Sequence, residues 1–249
     1  MGKVKIKKSD IWIDMTPMSD VMTLLLTFFM LTSTFIKNEP VRVNTPGTVI
    51  ETKVPETDVL TITVSPVKGQ DGKPTGEGQV FLGMSNADDL KTILQNMHPS
   101  VAKNAELAYA FSSEAQFGVS LKDLPAYLGK SQEQRSKILL GQDPSIKPGI
   151  PLDSIDGKMS EFQQWVLAAK TNLKVMEKNE QTGQMEPKET KKIALVIKAD
   201  HDTPYKTIKL VMSELQDISQ SHYYLSTQLD GNKVSSARNY INQNTGGGQ

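Results

Sequence analysis

Residues 18–36 read MSDVMTLLLTFFMLTSTFI, nineteen positions that carry a single charge, Asp20. That length is close to the ~20 apolar residues a helix needs to cross a bilayer. Lys3, Lys5, Lys7 and Lys8 precede the stretch, whereas Lys37 and Arg42 follow it, offset by Glu39. The basic excess on the N-terminal side predicts a cytoplasmic segment over 1–15, a transmembrane helix over 16–36 and an exported remainder. A cleaved signal peptide shares the basic start. Its apolar run is shorter, however, and it ends in a small-x-small site where this chain has Lys37-Asn38-Glu39-Pro40. An uncleaved anchor is the expectation.

Asp20 is the anomaly of that helix. A carboxylate within hydrocarbon costs on the order of 2.5–3.5 kcal/mol, so it reads as functional by default. The competing reading makes Thr16-Pro17 an N-cap and first-turn proline, which leaves Asp20 near the helix start, favoured by the macrodipole and within reach of the headgroups. Two observations oppose it. With Asp20 in water, Val21–Ile36 would span about 24 Å at 1.5 Å per residue, short of the ~30 Å core; extending the helix back toward Trp12 restores a full span. At about 100° per residue, Thr16, Asp20, Thr23, Thr27 and Thr34 also share one stripe roughly 60° wide, bordered by Leu31. A polar stripe headed by a carboxylate suits a helix that faces other protein or a water-filled path. Threonine hydroxyls can also bond back to their own helix, so the stripe alone does not decide the matter.

Composition narrows the function classes. Lys plus Arg total 28 and Asp plus Glu total 28, so no basic surplus is available for a nucleic acid. The chain has no Cys, which removes disulfide scaffolds, thiol nucleophiles and Cys-based zinc sites. His98, His201 and His222 are scattered without metal-ligand spacing. Gly72-Lys73 lies in a Gly-rich stretch but lacks the phosphate-loop frame, with Pro74 where a hydroxyl belongs. Neither an enzyme nor a bound cofactor is expected.

Past the anchor, residues 37–57 contain three prolines and no helical period, and read as an extended linker. Residues 58–230 read as an α+β domain. Val59–Val64 and Gln79–Met84 are expected to form a hairpin around the Gly-rich turn 68–76. Asn86–Met97 is expected as a helix burying Leu90, Ile93, Leu94 and Met97. Lys192–Ala199 reads as a buried strand, followed by a helix capped at Asp202-Thr203-Pro204 with Tyr205, Ile208, Met212 and Leu215 on its buried stripe. His222–Leu229 would return as a parallel strand. Asp200 and His201 read as strand-end and capping residues. Between these ends, residues 98–185 form a helical insert, with candidates at Ser120–Leu128, Gln132–Leu140 and Ser160–Lys178, stops at Gly129 and Gly141, and a core role for Phe162, Trp165, Leu173 and Met176. The insert is expected to decorate the core rather than to build it. The tail 231–249 reads as disordered.

Residues 13–31, IDMTPMSDVMTLLLTFFML, resemble the transmembrane signature of the ExbD/TolR family, an Asn-x-Thr-Pro-x-x-Asp-Val-Met pattern. The chain keeps Thr16, Pro17, Asp20, Val21 and Met22 and has Asp14 where the family has Asn. Val41-Arg42-Val43-Asn44-Thr45-Pro46 is similar to the family's membrane-proximal Val-x-Val-x-Leu-Pro, with Thr45 in place of Leu. Ala199-Asp200 occupy the place of an Ala-Asp pair that precedes a helix in the family's periplasmic domain. The resemblance implies an inner-membrane subunit of a proton-motive-force-driven motor, with the C-terminal domain in the periplasm and Asp20 as the proton carrier. It also implies an ExbB/TolQ-like ring around the helix, a second copy of the chain, and a TonB- or TolA-like protein as partners. Asp14 leaves open whether one site titrates or two. The alternative is a membrane-tethered periplasmic binding module, such as a peptidoglycan-associated one, in which Asp20 is incidental.

Overall fold

The computed structural model describes residues 15–32, 39–48, 55, 57–69, 73–153, 158–178 and 185–229. The chain divides into two compact units, Met1–Lys37 and Asn38–Gln249. In the first, helix α1 runs Thr16–Thr32. Ser19 N–H donates to Met15 O at 3.1 Å, so Met15 takes the capping position and Thr16 opens the helix, one residue from the expected cap. No residue of α1 is buried within the chain. Its 17 residues reach about 25 Å at 1.5 Å per residue. No helix of the described residues is long and apolar enough to cross a membrane; residues 33–36 of the expected span lie outside them.

The second unit is a mixed α+β domain. Its elements in chain order are β1 (Gly47–Thr48), β2 (Val59–Lys68), β3 (Pro74–Met84), α2 (Ala87–Met97), α3 (Pro99–Ala102), α4 (Ala105–Ser113), α5 (Leu124–Leu128), α6 (Gln132–Leu139), α7 (Glu161–Thr171), β4 (Lys174–Lys178), β5 (Met185–Thr190), β6 (Ala194–Ala199), α8 (Tyr205–Asp217), β7 (Tyr224–Ser226) and β8 (Gln228–Leu229). The main sheet has the order β3-β2-β6-β7. β2 and β3 pair antiparallel with Ile62 opposite Leu82, as the alternation predicted. β2 pairs parallel with β6, and β6 parallel with β7 through Val196–Tyr224, so the strand–helix–strand module returns its strand as expected.

Alternation in β2 would send Thr63 and Ser65 to solvent, yet both are buried, Thr63 accepting from Gln116 Nε2 and Ser65 from Gln79 Nε2, each at 3.3 Å. α2 follows its sequence pattern: Asn86 caps it by accepting from Asp88 N–H, and Leu90, Ile93 and Leu94 are buried. In α8 the stripe is rotated. Tyr205 is exposed, Ile208 and Met212 are half-buried, and Val211, Glu214 and Leu215 are buried. Thr203 does not cap this helix; its hydroxyl donates to Val64 O of β2 at 3.1 Å, and Pro204 stands at the cap.

The expectation of a decorative insert is overturned. Phe111, Phe117, Tyr127, Ile138, Phe162 and Trp165 join Ile62, Phe81 and Leu195 of the sheet in one continuous core. Trp165 stacks on Phe111 at 5.9 Å and tilts against Phe117 at 4.9 Å between ring centroids. The helix expected over Ser160–Lys178 ends at Thr171, and Lys174–Lys178 pairs instead with Met185–Thr190. α7 itself opens on a capping box between Ser160 and Gln163. Helix α4 had no expectation over it; Asn104 caps it by accepting from Glu106 and Leu107 N–H. Residues 1–14 with Asp14, Thr34, and the tail 231–249 lie outside the described residues.

Candidate functional site

Two places gather the residues singled out by sequence. The first is α1. Met22, Leu24, Leu25, Leu26, Phe28, Phe29 and Leu31 are all exposed, and Asp20 stands in the second turn of this apolar rod. A continuous exposed apolar surface of this kind marks an interaction site. Thr23 donates its hydroxyl to Ser19 O at 2.8 Å and Thr27 to Leu24 O at 3.0 Å, so both stripe threonines bond back to their own helix. Among the described residues the Asp20 carboxylate has no hydrogen-bond or ion-pair partner. A lone carboxylate on an apolar helix changes its preferred surroundings when it takes up a proton, because neutralisation removes the burial penalty.

The second place is the stretch Val41–Pro46, expected as part of a free-running linker. It is extended, but it is fastened to the domain. Val41 is buried at 6% exposure, and its N–H donates to Gln116 Oε1 at 3.2 Å. Gln116 in turn donates from Nε2 to Thr63 Oγ1 at 3.3 Å, and so covers the polar face of β2. Asn44 N–H donates to Asp200 Oδ2 at 3.0 Å, and Asn44 O accepts from His201 N–H at 2.9 Å. Three residues further, Gly47–Thr48 pairs parallel with Gln228–Leu229.

Val41, Arg42, Val43 and Thr45 line one groove of about 380 Å³ with Glu39, Gln116, Lys198 and Ser226. Pro46 follows at the exposed end of this run. Asp200 is therefore more than a strand end: its two carboxylate oxygens hold Asn44 N–H and Asp202 N–H. Gln116 was missed from sequence, since a glutamine in a loop carries no local signal that it will meet a strand 53 positions away. Among the described residues no three His, Asp or Glu side chains converge as metal ligands would.

A family model for the biopolymer transport proteins ExbD/TolR matches residues 7–230, across both units and the segment between the family-like ends. The chain belongs to the ExbD/TolR family. That places it in biopolymer transport and energy transduction in general, a family whose members work with ExbB/TolQ and TonB/TolA-type partners. No curated protein matches the chain, and no solved structure does.

Proposed function

We propose that this protein is the single-pass subunit of an inner-membrane motor, in which Asp20 carries protons inside a ring of ExbB/TolQ-like helices and the second unit delivers the resulting motion in the periplasm to a TonB- or TolA-like protein. The reading involves no enzymatic step. The observation that carries it is the conjunction on α1 of an unburied apolar surface with one carboxylate that has no partner among the described residues. A proton crossing the membrane releases about 2.3 kcal/mol per 100 mV, and harvesting it needs one group that alternates between charged and neutral on a helix with a partner surface. Helix α1 is described to Thr32, and the span expected from the sequence runs four residues further, to Ile36.

The test is Asp20→Asn, which keeps the size and the hydrogen-bonding capacity and removes the titratable proton. The variant is expected to insert and assemble at normal levels while losing proton-motive-force-dependent activity. Normal activity per assembled complex would refute proton carriage by Asp20. A plain tether, the alternative reading, tolerates the exchange.

A further inference from the structure

We propose that residues 115–119 and 149–150 act as an edge guard: they occupy the hydrogen-bonding edge of β3 and keep the sheet from growing through it into a second copy of this chain. β3 is an outer strand of the main sheet. Its inner half, Val80–Met84, is apolar, uncharged and buried, the composition that pairs readily with another strand if its edge is left open. The outer half needs no cover. Pro74, Gly76 and Glu77 are exposed, and a proline, a glycine and a charge make a poor template for pairing.

The guard is bonded as a strand would be. Leu82 N–H donates to Phe117 O and Phe117 N–H to Leu82 O, both at 2.8 Å. Ile150 N–H donates to Val80 O at 2.9 Å, and Gly149 N–H to Gly118 O at 2.8 Å, which ties the two guarding segments to each other. Three glycines let the backbones approach. A Cβ on Gly83 would stand 2.6 Å from Ala115 O, and one on Gly118 would overlap the Phe81 ring. Gly149 has φ +100°, and a Cβ there would stand 3.0 Å from the Gln79 Cβ. Close approach on both sides of one seam is what a backbone-to-backbone seal requires. An open β3 edge would face its own copy across a two-fold axis, since an antiparallel strand can pair with itself isologously.

The experiment compares three full-length chains in detergent: the native protein, Gly118→Val, which forces the guard away from Phe81, and Ile138→Ala, which opens the core away from the edge. Self-association is followed by sedimentation, and protection of the Leu82 amide by hydrogen exchange. Gly118→Val is expected to self-associate at least tenfold more tightly than native, with the Leu82 amide protected in the associated form and exchanging freely on dilution. Ile138→Ala should associate as the native chain does. The proposal fails if Gly118→Val associates no more than native, or if Ile138→Ala associates equally well. Should Gly118→Val not fold, Gly118→Ala is read by the same two measurements.

Discussion

The Asp200 carboxylate accepts a hydrogen bond from Asn44 N–H at 3.0 Å, joining residues 156 positions apart. Its other oxygen accepts from Asp202 N–H at 3.1 Å, so one side chain both shapes the turn after β6 and fastens the segment that leads from the first unit. Removing a charged acceptor from a half-exposed site costs roughly 1–2 kcal/mol. Asp200→Ala is therefore expected to lower the unfolding free energy by that amount in urea melts and to speed exchange of the Asn44 amide. Unchanged exchange at Asn44 would show that the remaining ties hold the segment alone.

A second prediction concerns the ion pair inside the helical layer. Arg135 Nε donates to Glu114 Oε1 at 2.7 Å, with both side chains almost wholly buried, and Arg135 Nη1 also donates to Lys130 O at 2.9 Å. Arg135→Met removes the ion pair together with the bonds to the Leu128 and Lys130 carbonyls, a loss of about 3–5 kcal/mol. The double change Arg135→Met/Glu114→Leu should recover most of it. Tyr127 lies beside the pair; burial first, and the Glu114 charge second, hold its hydroxyl well above the usual tyrosine range. That hydroxyl has no partner among the described residues. Tyr127→Phe is accordingly expected to be neutral, or more stable by up to about 1 kcal/mol, in denaturant melts.

What could be read from sequence follows from where each signal is local. The hairpin over 59–84 declares itself by alternation around a Gly-rich turn, and α2 by Asn86 and the spacing of Leu90, Ile93 and Leu94. The rotation of α8 was hidden because Glu214, a charged residue, takes an inward place. It accepts from the Ser160 hydroxyl at 2.6 Å, a partner 54 positions earlier. The same applies to the middle of the chain. Phe111, Phe117 and Trp165 are apolar in sequence whether they form a satellite cluster or the main core, and only their contacts with the sheet decide which. In the candidate site, Val41, Val43, Asn44 and Asp200 were marked by motif, whereas Gln116, and the bond by which Asp200 holds Asn44, are fixed by tertiary contact.

Lys191 gives a pH-dependent prediction. Its ammonium contacts Asp58 at 2.6 Å and Asp89 at 2.7 Å, linking the starts of β2 and α2 to the connection between β5 and β6. Burial opposes the charge, but the hydrogen bonds to the two aspartates outweigh it and raise the pKa above its ordinary 10.5. A raised lysine contributes stability that is fully present below the unfolded pKa and is lost as pH climbs through the folded one. The advantage of the native chain over Lys191→Met, roughly 1–3 kcal/mol near neutrality, should hold to about pH 10 and shrink above it. A constant difference from pH 8 to 11.5 in urea titrations would exclude the charge as its source.

The last prediction separates the stripe of α1 from its acid. Thr23 and Thr27 already donate their hydroxyls to Ser19 O and Leu24 O, so neither donor is free for a partner helix or a water chain. Valine keeps the β-branched shape and the same rotamer restriction in a helix, and removes only that internal bond. If the threonines serve mainly the helix, Thr23→Val and Thr27→Val should each retain most of the native activity, within about twofold, and insertion should be unimpaired. Asp20→Asn, measured beside them per assembled complex under an intact membrane potential, should lose activity by orders of magnitude. A large loss in either threonine variant with normal assembly would mean that the hydroxyl leaves its backbone carbonyl in the working complex and takes part in the proton path itself.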